Sequence, residues 1–136
     1  MKRTVLVQKT IGAPQQEVWA VVRTGEDIGR WLPAITSCRL DGMSRHCTMT
    51  DGSLLEEEII SVDDATHTFA YSVNKHPMPL GPVLNVIHVE KIGDQTCRVD
   101  WSAQFDADDA TVMQVKPMLE GLFTAGIDGL EALRRM

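Results

Sequence analysis

Residues 96–105 alternate without a break. Cys97, Val99, Trp101, Ala103 and Phe105 fall on one face, and Arg98, Asp100, Ser102 and Gln104 on the other. A period of two over that length marks a strand with one face in a core and one in water. Directly after Phe105 the period lengthens. Met118, Leu119, Leu122, Phe123, Ile127, Leu130 and Leu133 recur at helical spacing, so the strand hands over to a long amphipathic helix. A sheet with one apolar face, followed by a helix with an apolar stripe, hides both most simply by laying helix on sheet.

The rest of the chain supplies the sheet. Residues 3–11 read as a first strand, closed by Ala13-Pro14. Pro14 suits a first helical turn, and residues 15–23 put Val18, Trp19 and Val22 on one face. Thr24-Gly25 breaks that helix, and a second short helix is expected over 26–31, stopped before Pro33. Strands follow at 34–41, 45–50, 53–62, 66–75, 83–92 and 96–105. Asp51-Gly52 is the strongest hairpin signal in the chain. His76-Pro-Met-Pro-Leu-Gly-Pro82 is a loop. Asp106, Asp108 and Asp109 favour the start of the last helix, and Pro117 is expected to kink it or to begin its main part. The order is strand, two short helices, six strands, long helix. Consecutive strands joined by Gly and Asp turns imply an antiparallel sheet, and the fold class is α+β. Without repeat or linker, residues 1–136 form one domain.

Composition bounds the function. A hydrophobic fraction of 43% over 136 residues is ordinary for a globular chain. A formal net charge of −6 and the lack of a basic run disfavour nucleic acid and anionic membranes as partners. No apolar stretch approaches the ~20 residues of a membrane-spanning helix, and the short run after Met1-Lys2-Arg3 is no signal-peptide core. A cytoplasmic protein is expected. Cys38, Cys47 and Cys97, an odd number with no CxxC, are expected to be free thiols. His46, His67, His76 and His88 are too scattered for a metal site. No nucleotide, hydrolase or dinucleotide motif occurs, so no cofactor is expected.

The order of elements and the residues in it resemble the helix-grip superfamily of START domains, pathogenesis-related plant allergens and bacterial polyketide cyclases/dehydrases. The small bacterial cyclase/dehydrase-like branch is the most similar. The likeness rests on Ile11-Gly-Ala-Pro14, Glu17-Val18-Trp19, Trp31-Leu32-Pro33 and Ser37-Cys38-Arg39-Leu40. It continues through Arg45, six residues before Asp51-Gly52, then Glu57, Asp63-Asp64, Phe69-Ala-Tyr71 and Pro79-Leu80. Val99-Asp100-Trp101-Ser102 and Gly126-Ile-Asp-Gly-Leu130-x-x-Leu133 complete it. The resemblance implies a curved seven-stranded antiparallel sheet gripping the last helix around an apolar cavity. It implies no single reaction, because such a fold serves binders and enzymes alike.

Candidate site residues follow. On residues 53–62 the apolar pattern fits either face inward; the resemblance turns Glu57 inward and Glu56 and Glu58 outward. Arg45, Cys47 and Met49 would share the inner face of the preceding strand, with Arg45 opposite Glu57. The pair reads either as an anion-binding fork beside a general acid/base or as a structural ion pair. Tyr71 shares a face with Phe69 and Val73, and Asn85 shares one with Val83, Ile87 and Val89. Either residue is a ligand contact or a satisfied core group. Trp31 falls near a cavity mouth, Trp101 is core or wall, and His76 could overhang the entrance. Met49, Met113, Met118 and Phe123 suit a malleable wall, or plain core. Gly121, Gly126 and Gly129 in one helix suggest close approach to the sheet or room for a ligand.

Two functions are expected to compete. One is binding of a hydrophobic small molecule, such as a lipid, a polyketide-like intermediate or an aromatic. The other is aldol cyclisation or dehydration, with Glu57 as base, Tyr71 as acid and Arg45 as oxyanion partner. A ligand-free interaction role is a third. Nothing in the sequence sets an oligomeric state.

Overall fold

The computed structural model describes residues 1–133. Seven strands form one antiparallel sheet. They are β1 (Lys2–Ile11), β2 (Ile35–Asp41), β3 (Ser44–Met49), β4 (Leu54–Asp63), β5 (Thr68–Lys75), β6 (Val83–Gly93) and β7 (Thr96–Asp106). Their order across the sheet is β1-β7-β6-β5-β4-β3-β2. β2 to β7 therefore form a meander of hairpins, while β1 pairs with the last strand, Lys2 opposite Asp106 and Ile11 opposite Cys97.

Helix α1 (Gln15–Val22) buries Val18, Trp19 and Val22. The expected second short helix is reduced to a single 3-10 turn at Ile28–Arg30. Its neighbours explain why: Gly25 and Asp27 both have positive φ, which interrupts right-handed helix on either side of Glu26. Helix α2 (Asp109–Leu133) is the long C-terminal helix. Pro117 neither starts nor ends it. The missing Pro117 N–H leaves the carbonyl four residues back, on Met113, without its intrahelical partner, and Met113 is exposed, so water can serve it.

α2 lies closest to β1 and touches β7 less. Three polar contacts fix it there: Arg3 to Asp109, Lys9 to Asp128, and the Gly12 N–H to the Glu131 carboxylate. Its buried face, Val115, Leu119, Phe123, Ile127 and Leu130, meets the inner face of β7. There Trp101 stacks on Phe123 with ring centroids 4.6 Å apart. Two glycines let the segment after the 3-10 turn touch the helix. A Cβ on Gly126 would stand 2.6 Å from the Trp101 ring, and one on Gly129 would collide with the Trp31 backbone.

Two expectations fail. Met113 is 78% exposed and does not line the cavity; it lies on the side of the helix away from the buried stripe. Cys38 and Cys47 are not free thiols: they form a disulfide across β2 and β3, where they face each other directly. Only register brings them together, which is why their sequence spacing carried no sign of it. Cys97 is the free, buried cysteine among the described residues.

Candidate functional site

The β3–β4 hairpin builds the polar centre of the site. Gly52, at positive φ, closes the turn, the Met49 N–H donates to the Ser53 carbonyl, and the Asp51 carboxylate accepts from the Ser53 N–H. This turn sets the register that places Arg45 opposite Glu57. Opposite Glu56 and Glu57, β5 carries one extra residue, Asn74, a bulge that adjusts its pairing to β4. Glu57 and Ile59 point inward, while Leu54, Glu56, Glu58 and Ile60 are exposed.

Arg45 is 2% exposed and Glu57 7%. Arg45 Nε donates to Glu57 Oε1 at 2.6 Å, and Nη1 donates to the Gly25 carbonyl at 3.1 Å. The guanidinium carbon lies 4.9 Å from the centre of the Tyr71 ring and 5.7 Å from that of Phe69. Arg45 Nη2 and Glu57 Oε2 have no hydrogen-bond partner among the described residues. Burial pushes the Glu57 carboxyl above its ordinary value, and the Arg45 charge offsets part of that rise. Tyr71 stands beside them, opposite Ile59 on β4 and Asn85 on β6. Burial first, then the Glu57 charge, raises its phenol, so it stays protonated and acts as a hydrogen-bonding group. Trp101 Nε1 is close enough to the phenol to favour its ionised form slightly, yet makes no hydrogen bond of ordinary geometry. Asn85, 3% exposed, spends one amide hydrogen on the Val83 carbonyl at 3.3 Å.

These groups face a cavity of about 170 Å³ between the sheet, α2 and the two loops at the open end. Trp31, Met49, Phe69, Ile87, Trp101, Met118 and Phe123 line it together with Arg45, Glu57, Tyr71 and Asn85. Every candidate except Met113 therefore reaches the same space, and Met118 does so while half exposed at the mouth. The cavity is smaller than the ~300–1,000 Å³ of a typical ligand site. His76 borders the entrance. Its Nδ1 accepts from the Met78 N–H and its Nε2 donates to the Gly81 carbonyl at 2.8 Å, so the ring staples its own loop. Among the described residues no group of three His, Cys, Asp or Glu is placed to hold a metal ion, and no helix is long and apolar enough to cross a membrane.

Sequence reasoning missed Gly25. Its carbonyl accepts from Arg45, its φ is positive, and a Cβ there would press on Ile59 at 3.0 Å. The visible signal was Thr24-Gly25 as a helix breaker, which says nothing of a carbonyl aimed inward. Leu119 and Leu122, visible only as helix stripe, and Cys47, visible only as an inner-face residue, also line the cavity.

A seven-stranded antiparallel sheet closed over a long C-terminal helix, with a cavity between them, defines a helix-grip protein. Residues 2–134 match the family model described as polyketide cyclase / dehydrase and lipid transport, and the chain belongs to that family. Solved structures agree on the fold. An uncharacterised protein from Bacillus thuringiensis superposes with a TM-score of 0.89 at 23% identity, covering 96% of this chain and 98% of that one. XoxI from Bacillus cereus gives 0.88 at 23% identity, covering 96% and 94%. Norcoclaurine synthase from Thalictrum flavum, in complex with dopamine and hydroxybenzaldehyde, gives 0.79 at 17% identity, covering 98% and 86%. No curated protein matches the chain by sequence.

Proposed function

We propose that residues 1–136 act as one ligand-binding domain for a compact hydrophobic molecule with a polar oxygen function. The observation that carries this reading is the unpartnered edge of the Arg45–Glu57 pair within an otherwise apolar cavity. A cavity walled only to hold grease needs no such pair, because burying two charges is expensive unless something uses them. Trp31, Met49, Phe69, Ile87, Trp101, Met118 and Phe123 would hold the apolar body, and Asn85 and Tyr71 would flank the polar end. The volume of about 170 Å³ suits one ring better than a lipid chain or a multi-ring intermediate, since an engineered apolar cavity of ~150 Å³ takes benzene. Norcoclaurine synthase, similar in fold, holds the single-ring molecules dopamine and hydroxybenzaldehyde.

Native mass spectrometry of freshly purified protein tests this. A co-purifying adduct of single-ring size supports it; a bare chain that also fails to bind any single-ring probe overturns it.

A second reading is enzymatic: aldol cyclisation or dehydration in the same cavity. What favours it is a carboxyl held above its ordinary pKa beside a protonated phenol and a guanidinium. Such a trio can take, give and stabilise charge on a carbonyl compound. We also place the protein in the cytoplasm, where Cys38–Cys47 would cycle between dithiol and disulfide rather than serve as a permanent staple.

A further inference from the structure

The polar end of the cavity is electrically balanced. Arg45 comes from β3, Glu57 from β4, and they cancel. The other ionisable groups near Glu57 add no charge there. Tyr71 of β5 is a protonated phenol. His76 turns both ring nitrogens to its own loop, toward the Met78 N–H and the Gly81 carbonyl, and not to Glu57. Glu26 borders the mouth but is exposed to water. Helix α2 brings Met118, Leu119, Leu122 and Phe123, which are apolar. A ligand entering this space meets unpaired hydrogen-bonding atoms, Arg45 Nη2 and Glu57 Oε2, but no net charge to answer its own.

We propose that the cavity selects an uncharged single-ring ligand bearing an acceptor oxygen next to a donor hydrogen, and that a carboxylate enters only together with a proton. The inference rests on the ligand-binding reading above and deepens it. A neutral carbonyl can accept from Nη2 while the neighbouring N–H or O–H donates to Oε2, and the ion pair survives intact. A carboxylate would instead compete with Glu57 for one guanidinium. Two carboxylates sharing one cation in a buried site do not both stay ionised. One proton is then taken from solvent and held on Glu57 or on the ligand. An ammonium fails for the mirror reason, since it would draw Glu57 from Arg45 and set two cations face to face.

Benzene, benzamide and benzoate make a matched series of probes. Binding is followed by amide chemical shifts and by titration calorimetry in two buffers of different ionisation enthalpy, between about pH 6 and pH 8, above the titration of benzoate itself. Wild type is expected to bind benzamide more tightly than benzene. Benzoate should bind about tenfold or more weaker than benzamide at the upper pH, take up one proton, and gain up to about tenfold per unit of falling pH. Glu57→Gln leaves the Arg45 charge unanswered and should reverse the order, benzoate over benzamide, without proton uptake. Should that variant fail to fold, Arg45→Met/Glu57→Leu serves instead and should lose the preference of benzamide over benzene. Benzoate binding to wild type as tightly as benzamide with no proton taken up overturns the proposal, as does an unchanged preference in whichever variant folds. If none of the three probes binds wild type, the ligand-binding reading falls and this proposal with it. If benzene and benzamide bind but the charge rule fails, only the proposal falls.

Discussion

Gly129 of α2 faces the backbone of Trp31 so closely that a Cβ on the glycine would stand 1.8 Å from the Trp31 carbonyl oxygen. Helix and loop thus meet backbone to backbone, at the point where Trp31 turns its ring toward Trp101, 5.7 Å away centre to centre. Gly129→Ala must push the loop off the helix, and its cost should exceed the helix-propensity gain of up to ~1 kcal/mol. Gly121, in the same helix, has open space where its Cβ would go, so Gly121→Ala should stabilise by that same gain. Urea melts of the two variants should move in opposite directions.

Trp101 is 1% exposed and stacked on Phe123. Trp101→Ala should cost roughly 3–5 kcal/mol by opening a void in the core. A denaturant midpoint that hardly moves would mean that neighbouring side chains collapse into the space.

Breaking the buried ion pair from one side leaves a bare charge. Arg45→Met alone should destabilise by about 3–5 kcal/mol, while Arg45→Met/Glu57→Leu should cost much less or nothing. Glu57 also gives a sign to the pH dependence. Its folded pKa is raised, so its contribution is most favourable below the ordinary glutamate range and is lost as pH rises through the folded value. Glu57→Gln should therefore differ from wild type in the slope of stability against pH in that window.

Asp64 works the other way. It accepts from Arg23 Nε at 2.8 Å and from Trp19 Nε1 at 2.9 Å. The Arg23 hydrogen bond first, then the Trp19 bond, lowers its pKa to about 2. Its stabilising effect is present above the usual aspartate value and disappears as pH falls toward 2. Thermal midpoints measured across that acid range should fall less steeply in Asp64→Asn than in wild type.

Thiol counting in denaturant should find one reactive cysteine, Cys97, before reduction and three afterwards. The bridge spans a sequence separation of 9, so its reduction should lower stability by about 2–3 kcal/mol on a loop-entropy basis.

Strands were readable wherever one face met water and the other the core, as along β7. β4 was not, because Leu54 and Ile60 alternate with Glu56 and Glu58 on the outer face while Glu57 sits between Leu55 and Ile59 on the inner one. Only the family resemblance chose the orientation. Pairing across strands lies beyond any single-strand pattern, and the Cys38–Cys47 bond depends on it. The shape of the cavity depends on how closely α2 approaches Trp31 and Trp101, which Gly126 and Gly129 permit. No local signal carries that distance. Met113 shares the composition of the wall residues but not their angular position on the helix.

The strand order also governs when the molecule can be completed during its own synthesis. β2 to β7 can fold hairpin by hairpin as they emerge, yet β1 finds its partner only when residues 97–106 have been made. At ~5–20 residues per second the first strand waits on the order of ten seconds with its backbone groups unclaimed. Throughout that interval α2 too is missing, and the part of the apolar face that α1 does not cover stays open. Nascent chains stalled before β7 should therefore be the species that chaperones hold and that self-associates, whereas the finished chain needs neither.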